Sequence, residues 1–172
     1  MIIVAPARDA AAVYADRRPA HVISITSTDE PVPHLAGLDP DAHLNLVVEN
    51  DATAAVIAQA ARGRAERLMA FLQHWDAQSD VLVHCNRGVS RSMGAAYVMM
   101  CHAAPDASEA DLARALRSRA PHADPCPLII DFADTMMGRD GRMVDAIDDL
   151  CPPCADCDAP PVYLPASAPA VL

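Results

Sequence analysis

Between Ser92 and Ala103 the chain runs almost without a polar break, Ser-Met-Gly-Ala-Ala-Tyr-Val-Met-Met-Cys-His-Ala. Directly before it stand a short apolar run, Val81-Leu82-Val83-His84, and a tight loop from Cys85 to Arg91. A helix that is apolar on every side has no face to give to water, so it belongs in the middle of a domain. The strand before it must then lie in a sheet that this helix covers, and the rest of the chain has to arrange itself in layers around that pair.

The remaining segments supply those layers. Residues 1 to 6 and 20 to 27 are rich in β-branched residues and are separated by an alanine-rich stretch ending at Arg17-Arg18-Pro19, which reads as β-α-β. A turn-rich segment from Asp29 to Asp41 leads to a third strand, His43 to Val48, which breaks at Glu49-Asn50-Asp51. Ala61, Ala65, Leu68, Leu72 and Trp75 recur at helical spacing and predict an amphipathic helix over roughly residues 55 to 75. After the buried helix, Ser108 with Asp111 resembles a capping box, Asp124-Pro125 is the expected start of a helix that stops near Gly138, and Arg142 to Leu150 carries Met143, Ile147 and Leu150 on one face. Strands interleaved with helices, followed by helices alone, predict an α/β fold with a mostly parallel central sheet flanked by helices. From Cys151 to Leu172, Pro152, Pro153, Pro160, Pro161, Pro165 and Pro169 oppose regular structure, so we expect one domain over residues 1–150 and an irregular tail over 151–172.

Charge narrows the function. All 13 basic residues are arginine, scattered through a chain with 23 acidic residues and a formal charge of −10. A nucleic-acid binder needs a basic face, so nucleic acid is excluded as a partner, and a small anion must be drawn to a local positive site against the overall field. The apolar opening is too short for a signal peptide, and the run from Met93 to Cys101 falls well below the ~20 residues that span a bilayer. We expect no membrane partner, a cytoplasmic location and free thiols. Three of the six cysteines, Cys151, Cys154 and Cys157, crowd into the tail with Cys-x-x-Cys spacings that suit a zinc site, a redox pair or incidental thiols.

The loop His84-Cys85-Asn86-Arg87-Gly88-Val89-Ser90-Arg91-Ser92 carries the chemistry. A turn that runs into a helix N-terminus aims backbone N–H groups at one point, so the amides from Asn86 through Arg87, Gly88, Val89 and Ser90 to Arg91 form a nest for phosphate. The same field favours thiolate over thiol, the form in which a cysteine attacks. Arg91 presents a planar fork that binds two phosphate oxygens at once, as a lysine cannot. Gly88 permits the turn, and the Ser92 hydroxyl is placed to donate to the Cys85 sulfur when it leaves a phosphoenzyme. Arg87 is expected to point to solvent.

His84 to Ser92 resembles the signature loop of the cysteine-based protein phosphatases, His-Cys-x-x-Gly-x-x-Arg-Ser/Thr, and Val89-Ser90-Arg91-Ser92 is similar to the dual-specificity branch. The wider chain, from His43-Leu44-Asn45-Leu46 to Gly138-Arg139-Asp140-Gly141-Arg142-Met143, resembles a bacterial group of small tyrosine-phosphatase-like proteins over roughly residues 1 to 150. The resemblance implies a protein-tyrosine or dual-specificity phosphatase fold, a phosphocysteine intermediate on Cys85, and a loop-ordering role for His84. It also implies an acid on a loop roughly 30 to 40 residues before the nucleophile, to protonate the leaving oxygen. Asp51 is our choice for that acid, with Glu49 as the fallback because the family spacing falls nearest Asn50.

The expected activity is hydrolysis of phosphomonoesters without metal or cofactor. Phosphotyrosine is the first-choice substrate, and phosphoserine, phosphothreonine and small phosphomonoesters remain open. A rhodanese-like sulfurtransferase and a catalytically inactive phosphate-binding module are the competing readings. A cysteine loop is common to the first, and the second would follow if neither Asp51 nor Glu49 reaches the loop.

Overall fold

The computed structural model describes residues 1–48, 54–154 and 159–166. Five strands, β1 (Ile2–Pro6), β2 (His21–Ser27), β3 (His43–Val48), β4 (Val81–Cys85) and β5 (Val162–Leu164), form one sheet in the order β3-β2-β4-β1-β5. The first four run parallel and β5 runs antiparallel to β1. The helices are α1 (Ala7–Arg17), α2 (Ala54–Leu72), α3 (Arg91–Ala103), α4 (Glu109–Arg119), α5 (Pro127–Met137) and α6 (Arg142–Asp148), with a 3-10 turn at Pro40–Ala42. The expected mostly parallel sheet flanked by helices is the architecture found.

Both faces of the sheet are covered, which is why its inner strands read as continuous apolar runs. Side chains alternate across a strand, so Ile2, Val4, Ile23, Ile25, Val81 and Val83 face the larger core with α2, α3 and α5. Ile3, Ala5, Val22 and Leu82 face α1 and Leu35. Helix α3 lies inside that larger core: every residue from Ser92 to Cys101 is buried. Gly94 allows it to approach α5, since a Cβ there would stand 3.0 Å from Cys126 O and from Ile129 Cγ2.

Three expectations are corrected. The fifth helix starts at Pro127 rather than at Asp124-Pro125, because residues 124 to 126 run beside the Cys85 loop, with Asp124 N–H donating to Val89 O and Cys126 N–H to Ser90 O. The segment expected to be irregular from Cys151 on contributes β5. An edge strand needs a partner on one side only, so Pro161 and Pro165 can flank Val162–Leu164 without breaking the ladder. Cys85, Cys101, Cys126 and Cys151 are free thiols, while Cys154 is disulfide-bonded, which departs from free thiols throughout. Cys157 lies outside the described residues.

The stretch from Gly138 to Met143 is explained by a buried polar clamp. Asp134 accepts from Gly141 N–H at 2.7 Å and Met143 N–H at 2.8 Å, which caps α6. Glu109 receives Arg139 at 2.9 Å and Arg142 at 3.0 Å, and Arg139 also donates to Cys101 O at 2.9 Å. The clamp ties α4, α5 and α6 to the far end of α3. No helix among the described residues is long and apolar enough to cross a membrane.

Candidate functional site

The site lies at the carboxyl ends of the parallel strands, where β4 turns through residues 86–90 into α3. The turn is held from outside by its own carbonyls. Asn86 O accepts from Ala7 N–H at 3.1 Å, Val89 O from Asp124 N–H at 2.9 Å, and Ser90 O from both Gly94 and Cys126 N–H at 2.8 and 3.2 Å. Tying carbonyls outward is the condition for the amides between them to face the concave side, the arrangement that holds an oxyanion. Gly88 is required twice over. Its φ of +70° suits a residue without Cβ, and an added Cβ would sit 2.8 Å from Pro6 N at the end of β1.

Inside that turn Cys85 is almost fully buried and its Sγ lies 3.0 Å from the Oγ of Ser92, the second residue of α3. His84 is fully buried directly before it, and Arg87 is exposed to solvent as expected. Asn86 is exposed, but its amide reaches across to Glu30 Oε1 at 2.8 Å.

Arg91 is oriented from the neighbouring strand. Its Nη1 donates to Ser27 Oγ and to Glu30 Oε2, and its Nη2 donates to Glu30 Oε1, each at 3.0 Å. Ser27 ends β2, and its N–H donates to Glu30 Oε2 at 2.8 Å, so the turn after β2 closes on itself and offers the carboxylate to the arginine. The hydrogen bonds from Arg91 hold the Glu30 carboxyl down at about 2, against the opposing effect of burial. Five N–H hydrogens are available on a guanidinium, and three are engaged here among the described residues. The remaining Nε–H and second Nη2–H form the side-on fork, a bidentate edge with the geometry of two phosphate oxygens.

Beside Arg91 a crevice of about 230 Å³ opens between α2 and α5, walled by Ile25, Val48, Ile57, Leu128 and Ile129, with Cys126 at its edge. Ile57 and Leu128 are each more than a third exposed there. The site thus joins a turn with outward-tied carbonyls to an apolar wall.

Of the residues singled out in the sequence, the structure gathers His84, Cys85, Gly88, Arg91 and Ser92 around one turn. Asp51 and Glu49 lie outside the described residues. Among the described residues no cluster of His, Cys, Asp or Glu has the form of a metal site. Sequence reasoning missed Ser27 and Glu30. Asp29-Glu30 reads as part of a polar turn, and only the strand order, which sets β2 beside β4, places an acidic residue at the end of β2 next to the loop.

No family model matches the chain, and no curated protein matches it in sequence. Among solved structures it is similar to human DUSP28, with 22% identity over 80% of this chain and 88% of that one and a TM-score of 0.53. It is similar also to the PTP-2 phosphatase of Cydia pomonella, with 17% identity over 78% of this chain and 84% of that one and a TM-score of 0.57. The fold is therefore the one shared by the dual-specificity and tyrosine phosphatases.

Proposed function

We propose that this chain is a cysteine-dependent phosphatase that hydrolyses phosphomonoesters, with phosphotyrosine as first-choice substrate. The observation that carries the reading is the oriented guanidinium of Arg91, whose side-on fork engages no described residue, on the same turn that holds the Cys85 thiol.

Phosphate oxygens bind the fork of Arg91 and the loop amides. Cys85, as thiolate, attacks phosphorus, forming the P–S bond as the P–O bond to the leaving group breaks. The electron pair leaves with that oxygen, which takes a proton from Asp51. Water then attacks phosphorus, giving a proton to the Asp51 carboxylate, and the P–S bond breaks to release inorganic phosphate. The Ser92 hydroxyl, 3.0 Å from the sulfur, donates to it as negative charge returns there. Charge on the equatorial oxygens is matched by preorganised donors rather than by a metal. The apolar crevice beside Arg91 favours an aromatic leaving group over a short polar one. Because Cys85 must stay reduced to act, a reducing compartment such as the cytoplasm suits the reaction.

The test is hydrolysis of para-nitrophenyl phosphate by the wild type and Cys85→Ser, with acid quenching to trap a phosphocysteine. Wild-type turnover with trapped label on Cys85, and none in the variant, supports the reading. Unchanged turnover in Cys85→Ser would sink it.

A further inference from the structure

One hydroxyl serves two imidazoles on the α1 side of the sheet. Ser24 of β2 stands level with His84 of β4 and is fully buried. Its Oγ lies 2.7 Å from Nε2 of His84 and 2.7 Å from Nε2 of His43, the first residue of β3. A serine hydroxyl has one hydrogen to donate. It therefore donates to one ring and accepts from the other, and two neutral rings bonded this way carry their hydrogens on opposite nitrogens. Asn45, level with Ser24 on β3, has a buried Oδ1 with no hydrogen-bond partner among the described residues, so it does not take the hydroxyl hydrogen instead.

The choice between the two arrangements falls on the far side of His84. Its Nδ1 is buried and has no partner among the described residues. An orphaned buried N–H is rarer and costlier than an unused acceptor. The favoured arrangement places the His84 hydrogen on Nε2, donating to Ser24, and turns the Ser24 hydroxyl toward His43, whose own hydrogen sits on Nδ1.

We propose that His43 and Ser24 are positioning residues for the Cys85 loop: their relay holds His84 in its Nε2–H tautomer, and a proton added at His43 reverses it. An imidazolium donates from both nitrogens, so His43 Nε2–H would occupy Ser24 Oγ, and the hydroxyl would turn to His84 Nε2. The His84 hydrogen would then reside on Nδ1, where no described residue accepts it. The three groups together hold one hydrogen more than before, taken from solvent at His43, while the His84 hydrogen changes nitrogen by exchange. The disturbance lands on the residue joined by a peptide bond to Cys85.

His43 is reachable for such a proton. It is half-buried and lines a crevice of about 320 Å³ at the β3 edge. The charged groups that share the crevice are Asp41 from the 3-10 turn and Arg67 from α2, opposite in sign. On the sheet side His43 meets Val22 and Ser24 of β2, and His84 of β4 lies across Ser24. Burial lowers the proton affinity of both imidazoles, which keeps the relay neutral at pH 7.

The test is two-bond ¹⁵N–¹H correlation spectroscopy on the full chain labelled at histidine, which reads tautomers directly and does not depend on turnover of any substrate. At neutral pH, His84 should show the Nε2–H pattern and His43 the Nδ1–H pattern. Acidification should convert His84 to the Nδ1–H pattern as His43 titrates. In His43→Gln, whose amide can accept at about the same place but takes up no proton, that conversion should vanish; in Ser24→Ala the His84 tautomer should no longer follow His43. On an aryl phosphate, kcat/KM of the wild type should show an extra fall of roughly tenfold on the acid side, with KM unchanged, that His43→Gln lacks. Two results would overturn the proposal. One is both rings remaining Nε2–H through the titration, which would mean the hydroxyl bonds Asn45. The other is a His84 tautomer that follows His43 in Ser24→Ala as it does in the wild type.

Discussion

The carboxylate of Glu30 grips the guanidinium of Arg91 end-on, oxygen to nitrogen at 3.0 Å on both sides, and so decides which edge of the arginine is left for a ligand. Ser27 and Asn86 fix the carboxylate in turn, so the fork is aimed before any phosphate arrives. Glu30→Gln keeps one acceptor but loses the charge. A hydrogen bond to a charged group contributes about 1.5–3 kcal/mol, so kcat/KM on an aryl phosphate should fall roughly tenfold to a hundredfold. Inhibition by vanadate should weaken with it. Since the Glu30 carboxyl is depressed to about 2 from 4.5, its contribution is complete above 4.5 and is lost as pH falls through about 2. The wild-type pH–rate profile from 5 to 8 should therefore carry no break from Glu30. Undiminished vanadate inhibition in Glu30→Gln would show that the fork is aimed by something else.

The acid assigned to Asp51 makes a prediction about leaving groups. Asp51→Ala should slow hydrolysis of an aryl phosphate with a poorly acidic phenol by ~10² to 10⁴-fold, while one with a strongly acidic phenol, which departs without a proton, should lose much less. Glu49→Ala should leave both rates nearly unchanged. If the two variants exchange these behaviours, Glu49 is the acid.

Gly88→Ala tests whether the turn tolerates a side chain. A positive φ costs an ordinary L-residue about 1–2 kcal/mol, and the new methyl would meet Pro6 N at 2.8 Å, so Cys85 and Arg91 should be displaced relative to each other. Misplacement of this kind costs on the order of 10²-fold in rate. Gly63→Ala on α2 is the control, because nothing lies within 4 Å of its added Cβ; it should raise stability by about 0.5–1 kcal/mol and leave the rate alone.

The sequence made the sheet legible because strands buried on both faces read as near-continuous apolar runs, as in β1 and β4, where every residue is buried and His84 alone is strongly polar. The catalytic-looking turn was legible because its residues are contiguous. What could not be read depends on neighbours distant along the chain. Glu30 meets Arg91 across 61 positions, and Ser24 meets His84 across 60; both meetings follow from β2 lying beside β4, which local pattern does not encode. The strand in the tail escaped notice because three residues between prolines carry no period long enough to count.

Glu109 and Arg139, each about one-tenth exposed, form an ion pair; loss of Glu109 strands the Arg139 charge, whereas loss of Arg139 leaves Glu109 still paired with Arg142. Removing one member of a buried pair costs about 3–5 kcal/mol when the other charge is left alone, so Glu109→Gln should lower the unfolding free energy by that order and Arg139→Met by less. Replacing Glu109 by Gln and Arg139 by Met together should cost less than the sum of the two single changes. Urea titrations of the four proteins measure the coupling, and strict additivity would mean that the pair contributes nothing to holding α4 against α6.

Burial and then the nearby His43 press the His84 imidazole down to about 4 from an ordinary value of 6.5. The sign follows from proton counts: between 6.5 and 4 the unfolded chain binds a proton that the folded chain refuses, so stability is full above 6.5 and declines as pH falls through that window. At one unit of pKa per ~1.4 kcal/mol, the full difference amounts to about 3 kcal/mol, of which about 2 should be lost between pH 7 and pH 5. His43 and His122, also lowered by burial, add to the decline, whereas Glu30 stays ionised there. Urea unfolding at pH 7 and pH 5 should show the wild type losing stability and His84→Gln losing distinctly less. Equal losses in the two proteins would mean that His84 already carries a proton in the folded chain, and with it a charge buried beside Ser24 that the surrounding sheet has no means to stabilise.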